Sequence, residues 1–214
     1  MRRHVLFALC LAGCKVKDPP PITTRFADDF ARTSIGDNYY QTGDGFAVVN
    51  GVLSAHGVHN QPMWLRAKLP RNARIEFDCW STESRGDLKV EVFGDGRSHD
   101  PDPLRPDGQG NRYTATGYEV IFGGWYNSKS IIARLDEHGK DVAQRTLPKV
   151  VPNQHYHWKL ERKGKQLSWW IDDMTVPFLV LDDPAPLEGT GHEYFAFNNW
   201  ETDTWFDNLV ISPL

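Results

Sequence analysis

The sequence predicts an all-β protein, built as a two-sheet antiparallel sandwich or a barrel, and three observations carry that prediction. Short apolar or alternating runs recur along the chain, separated by Gly, Asn, Asp and Pro. No amphipathic helical period of useful length follows the first few residues, and no repeat of fixed length appears, which argues against a propeller. Roughly a dozen such runs in one chain of domain size are what two packed sheets or a closed barrel require.

The first fourteen residues read as an address rather than as part of the fold. Arg2 and Arg3 form a basic start, and Val5 to Leu11 form an apolar run. That run is too short to span a bilayer, which takes about 20 residues, but suits a signal peptide. It ends in Leu11-Ala12-Gly13-Cys14, which resembles the lipobox of bacterial lipoproteins. The resemblance implies cleavage before Cys14, acylation of its thiol and anchoring in a cell envelope. With Lys15 next rather than aspartate, it favours the outer membrane. Two or more acyl chains hold a protein stably where one is marginal. Residues 15–24 (KVKDPPPITT) read as a Pro-rich tether, leaving 25–214 as the folded domain.

Within that domain the strand candidates are Phe46–Val49, Val52–Ala55, Met63–Ala67, Ala73–Trp80, Leu88–Phe93 and Gly117–Phe122. Further along come Ser130–Asp136, His155–Arg162, Gln166–Asp172, Phe178–Leu181, Glu193–Phe197 and Thr204–Ile211. The clearest pair is 155–172. There Tyr156, Trp158 and Leu160 alternate with His157, Lys159 and Glu161, and a Gly164 turn leads to Leu167, Trp169 and Ile171. Asn50-Gly51 marks a second tight hairpin, because both residues tolerate positive φ.

Composition narrows the function classes. The chain of 214 residues has 24 basic and 28 acidic side chains, a net charge of −4 that becomes −6 once Arg2 and Arg3 leave with the signal segment. No Lys/Arg cluster is present, so nucleic acid is not an expected partner. With Cys14 acylated and Cys10 removed, Cys79 has no disulfide partner and reads as a small buried hydrophobe. All eight tryptophans lie beyond the signal segment; their flat faces and polar edges suit either a core or stacking on sugar rings.

Several segments together resemble the concanavalin A-like lectin/glucanase jelly rolls, particularly domains related to 3-keto-disaccharide hydrolases. These are Phe26-Ala27-Asp28-Asp29-Phe30, Val48-Val49-Asn50-Gly51-Val52-Leu53, the Trp-hairpin-Asp stretch 158–172 and Phe206-Asp207-Asn208-Leu209-Val210-Ile211. The resemblance spans nearly all of 25–214 and implies a two-sheet antiparallel jelly roll whose concave sheet carries sugars. It also implies a structural calcium in some members, for which Asp29 and Asp207 are the positions to name; no other cofactor is called for. Activity does not follow from such a fold.

The residues offer three sites for chemistry. Glu76 and Asp78 share a strand face, as paired glycosidase carboxylates do, but Trp80 occupies the next position and the face reads as solvated. In the middle of the chain, a strand through Glu119 and Ile121 enters a Gly123-Gly124 turn presenting Trp125 and Asn127. Paired as a hairpin, it is expected to place Glu119 and Ile121 on one face with Ile132, Arg134 and Asp136, with Glu91 extending the row. This row is either a polar sugar groove ending at Trp125 and His138 or a salt-bridged exposed face. A second cluster, Asn198-Asn199-Trp200, offers amides that donate and accept at once beside an indole. The loop 98–116, with Asp100, Asp102 and Asp107, reads as solvated, and His155 and His157 lack an identifiable third zinc ligand. The leading expectation is glycan binding through Glu91, Trp125, Asn127, Arg134, Asn198, Asn199 and Trp200. The alternatives are a glycan-degrading hydrolase or lyase with Glu119, Glu137 and His138 as acid/base groups, and a structural envelope protein.

Overall fold

A computed structural model describes residues 19–97, 115–140 and 142–214. Residues 1–18, where the signal segment and the acylated Cys14 are expected, and the three aspartates of the 98–116 loop lie outside these residues. Fifteen strands follow in order: β1 (Phe26–Asp28), β2 (Tyr39–Gln41), β3 (Phe46–Val49), β4 (Val52–Ala55), β5 (Met63–Leu65), β6 (Ala73–Ser81), β7 (Leu88–Gly94) and β8 (Tyr118–Gly123). After one helical turn (Gly124–Asn127) come β9 (Lys129–Arg134), β10 (Val142–Arg145), β11 (Tyr156–Lys163), β12 (Gln166–Ile171), β13 (Leu179–Asp182), β14 (Tyr194–Asn199) and β15 (Thr204–Pro213). They form two antiparallel sheets. One runs β13-β12-β11-β6-β15-β4-β3, with β1 also paired to β15; the other runs β10-β9-β8-β7-β14-β5-β2.

Alternation decides which face of each strand is inside. In β6, Ala73, Ile75, Phe77 and Cys79 are buried while Arg74, Glu76, Asp78 and Trp80 face outward. Cys79 is wholly buried, and burial pushes its thiol well above the ordinary range, as befits an inert small hydrophobe. In the β11–β12 hairpin, Trp158 pairs with Ile171, Leu160 with Trp169 and Arg162 with Leu167. The Trp158 and Trp169 rings lie 4.5 Å apart. Phe122 of the opposite sheet meets Trp169 edge-on at 6.2 Å, and Phe77 meets Phe197 across the sandwich at 5.8 Å. The β3–β4 turn has Asn50 and Gly51 at φ 53° and 78°, the left-handed pair that a two-residue hairpin needs.

Three short strands, β1 (FAD), β2 (YYQ) and β10 (VAQR), escape sequence reading because none of them alternates apolar with polar residues. Ahead of β1, the Ile22 N–H donates to the Lys68 carbonyl and the Ile22 side chain is buried, so Pro20–Ile22 packs onto the domain. On the outward face of the eight-stranded sheet Glu76 and Asp78 are partly exposed, as a solvated face requires. There the His157 ring Nδ1 lies 2.7 Å from Asp78 Oδ1, and the His155 ring stacks on Trp80 at 4.0 Å.

Candidate functional site

The outward face of the seven-stranded sheet is unusually well covered for a face turned away from the core. Every residue of β7 and β8 is buried. Lys89 pairs with Ile121 on β8 and Asn198 on β14, and Glu91 pairs with Glu119 and Ala196, so these residues share the outward face. Ile121, Ile131 and Ala133 form a small apolar cluster there, packed against Trp125 and Val142.

The turn after β8 shapes this face into a site. Trp125, Tyr126 and Asn127 sit at φ 52°, 58° and 59°, a left-handed conformation that costs non-glycine residues about 1–2 kcal/mol each. Three features hold it. The Asn127 side chain donates from Nδ2 to the carbonyls of Ser84 and Val150 and accepts the Val150 N–H at Oδ1. The Gly123 N–H donates to Ser130 Oγ. Gly86 lets its loop approach so closely that a Cβ there would stand 2.1 Å from the Gly123 carbonyl oxygen. Tyr126 projects into solvent at 80% exposure, with the Arg85 guanidinium over its ring. Trp125 is half-buried, with the Lys129 ammonium over its ring and the His138 ring edge-on at 5.7 Å.

Between this turn and the end of β14 lies a cleft of about 270 Å³. Trp125 and Tyr126 line it from the turn, Glu137 and His138 from the turn after β9, and Trp200 and Thr202 from the link between β14 and β15. Trp200 is bridged to His59 through the backbone and packs on its ring at 5.2 Å. The floor is Asn60, Asp87, Lys89 and Ile121, with Arg85 at the rim.

The floor's electrostatics are uneven. The Lys89 ammonium, 1% exposed, donates to Asn60 Oδ1 and Glu137 Oε2, both at 2.9 Å, and stands 3.9 Å from Glu119 Oε1. Burial alone would lower its pKa, but Glu137, Glu119 and Asp87 outweigh burial and raise it. Glu119 is fully buried and neither of its carboxyl oxygens has a hydrogen-bond partner. Burial pushes it well above the ordinary carboxylate range despite Lys89. Asp87 Oδ1 is likewise without a partner, and burial raises that carboxyl to about 6 against the pull of Lys89.

Of the sequence-derived candidates, the structure brings Trp125, Trp200, Glu137 and His138 to the cleft, with Glu119 on the same sheet face. The others do different work. Arg134 pairs with Tyr118, not with the Glu119 side of the hairpin, because the register differs by one residue from the expected pairing. It therefore shares the face of Tyr118 and makes an ion pair with buried Asp183 at 3.0 Å. Asn127 is the clamp of the turn. Glu91 accepts the N–H groups of Thr116 and Gly117 and the Thr116 hydroxyl at Oε1. Asn198 accepts the Asn199 N–H, while Asn199 pairs with Leu88 on the core side and donates to the Thr202 carbonyl. The Asn127 and Asn199 amides are thus buried and hydrogen-bonded to backbone groups.

Sequence reading missed Asp87, Lys89, Asn60 and Arg85. The available signal was Lys89-Val90-Glu91, a charged face in a strand that is otherwise core. For calcium, Asp29 and Asp207 each spend an oxygen on a nearby N–H, of Ala31 and Asn208. Among the described residues no group of three or more His, Cys, Asp or Glu side chains is arranged to hold a metal.

Comparison with solved structures finds the same architecture in carbohydrate-active proteins. The carbohydrate-binding module CBM66 from Bacillus subtilis is 15% identical, covering 84% of this chain and 98% of the module, with a TM-score of 0.57. A Bacillus subtilis protein with a galectin-like fold is 12% identical over 89% of this chain and 96% of its own, at 0.62. The shared fold is a two-sheet antiparallel jelly-roll sandwich. A prokaryotic β-1,3-1,4-glucanase (lichenase) derived from a mouse hindgut metagenome gives 9% identity, 89% and 100% coverage and a TM-score of 0.59. Residues 104–208, just under half of the chain, match the family model described as Farnesoic acid O-methyl transferase. Comparison with curated sequences returns no match.

Proposed function

We propose that this protein binds carbohydrate in the cleft between Trp125 and Trp200, and does so at a cell envelope to which Cys14 anchors it. The observation that carries the binding reading is the strained turn. Three consecutive left-handed residues, locked by a buried amide, hold an indole at the mouth of a polar-floored cleft, and such strain collects at ligand sites. A volume of about 270 Å³ lies at the small end of ligand pockets, which run ~300–1,000 Å³. It therefore suits a short stretch of glycan, with Trp200 offering a second ring. The solved structures of this fold that are named as a carbohydrate-binding module or a glucanase support the same reading.

The test is affinity electrophoresis of the full-length Cys14→Ala protein through gels cast with a panel of polysaccharides. Retardation by at least one polymer is expected. Trp125→Ala and Trp200→Ala are each expected to weaken it about tenfold, the worth of one aromatic platform, with the polymer left intact. A gel series in which neither indole matters would remove the cleft from consideration. Anchoring is read separately, as incorporation of labelled palmitate that disappears in Cys14→Ala.

A hydrolase or lyase reading draws on one observation. Asp87, whose carboxyl burial raises to about 6, lines the same cleft as Glu137, which is held beside Lys89, so two carboxyl groups face one cleft. Clearing of the polymer, lost in Asp87→Asn and Glu137→Gln, would put that reading first.

A further inference from the structure

We infer that the cleft selects glycans carrying a free primary amine, its acidic floor taking the sugar's ammonium group. This rests on the carbohydrate reading above and names the substrate class for the same site. The argument is one of unmatched partners. One ammonium, that of Lys89, stands 2.9 Å from Glu137 and 3.9 Å from Glu119, with Asp87 in its field; burial favours the protonated, neutral form of Glu119, which leaves Glu137 and Asp87 as two carboxylates against one ammonium. Among the described residues the other cation that lines the cleft, Arg85, is taken by Glu201 at 2.6 Å and lies over Tyr126, while Lys129 stands over the Trp125 ring. The floor oxygens without partners are all carboxyl oxygens: Asp87 Oδ1, which lines the cleft, and both oxygens of fully buried Glu119 beside it.

A site with spare acceptors and surplus negative charge matches a donor-rich cation. Neutral hydroxyls would satisfy the acceptors and leave the charge. A carboxylate or sulfate on the sugar would add to the charge, with Lys89 already donating to Asn60 and Glu137. An ammonium satisfies both requirements, and a partly buried charge pair is screened far less than an exposed one.

The groups facing Asp87 are Lys89 on β7 just after it, Arg85 before it, Glu119 on β8, Glu137 and His138 from the turn after β9, and Glu201 beyond β14. A ligand ammonium placed among them favours ionised Asp87. Asp87 otherwise holds its proton up to a pH of about 6, so binding near that pH is coupled to proton release.

The experiment is calorimetric titration of the full chain in detergent with three tetrasaccharides: β-1,4-linked glucosamine, its fully N-acetylated form and the β-1,4-glucan. Methylamine serves as an amine without a sugar. We expect glucosamine to bind about tenfold tighter than the other two sugars and methylamine to bind far more weakly. At pH 6 the apparent enthalpy for glucosamine should differ between phosphate and imidazole buffers in the sense of proton release. Asp87→Asn should abolish the preference for glucosamine over the other two sugars. It is a mild change, because residue 87 has φ 69° and asparagine tolerates that conformation well. Equal affinity for the three sugars, with no proton released, would overturn the amine preference and leave the carbohydrate reading standing. Binding of methylamine as tight as that of the sugar would overturn the glycan class. Silence from all four ligands would overturn both.

Discussion

Asn127→Ala is expected to cost about 3 kcal/mol of stability and to weaken glycan binding more than tenfold. The amide makes three hydrogen bonds to backbone groups of Ser84 and Val150, and a buried polar group left unpaired costs about 1–3 kcal/mol. Alanine also tolerates φ 59° less well than asparagine, so the turn loses its clamp and its best-suited residue together. Once Trp125 and Tyr126 relax toward ordinary dihedrals, the indole leaves the mouth of the cleft. Urea denaturation measures the first effect and the polysaccharide gels the second. Tyr126→Ala is the control: it sits in the same turn but is 80% exposed, so its stability change should stay within about 0.5 kcal/mol. If Asn127→Ala matched that control, the amide would not be what holds the turn.

Replacing Glu119 with methionine is expected to stabilise the protein by about 2 kcal/mol at pH 8, with the gain shrinking at pH 4. The carboxyl is fully buried, both oxygens lack partners, and burial raises its pKa well above the ordinary value. The folded state therefore keeps its proton to a higher pH than the unfolded chain does. Wild-type stability falls as pH rises from the unfolded pKa through the folded one, and the variant has no such group to lose stability through. Exchanging a buried ionisable group for an apolar side chain of similar volume is often worth 1–4 kcal/mol, and Lys89 retains Glu137 as its partner. Thermal melts at the two pH values decide the matter, and a variant less stable than wild type at pH 8 would mean Glu119 has a stabilising role. Stability gained here should come with weaker binding of the amino sugar, the usual exchange at a ligand site.

How much of this was legible in the sequence depended on how many residues each feature used to announce itself. Twelve of the strands carried enough alternation to be placed, some to the residue, as at Phe46–Val49 and Val52–Ala55. Register was less visible. Arg134 lies one position from where it would have faced the cleft, and in a strand one position is a change of face. Asn127 and Asn199 were recognised as polar groups near a ring, but an amide serves a backbone as well as a sugar, and only the fold tells which. Lys89 and Asp87 were hidden for a different reason. Alternation marks the outward face of β7, but not that neighbouring elements cover that face and bury what looks like a solvated row.

The last strand sits at the centre of its sheet. β15 lies between β6 and β4 and also holds β1, so residues 204–213 join segments from both ends of the sequence. Neither β6 nor β4 can close that edge without those ten residues, and their pairing closes a large loop. A chain lacking residues 204–213 would leave β6 and β4 each with an open edge, and is expected to fail to close the sandwich.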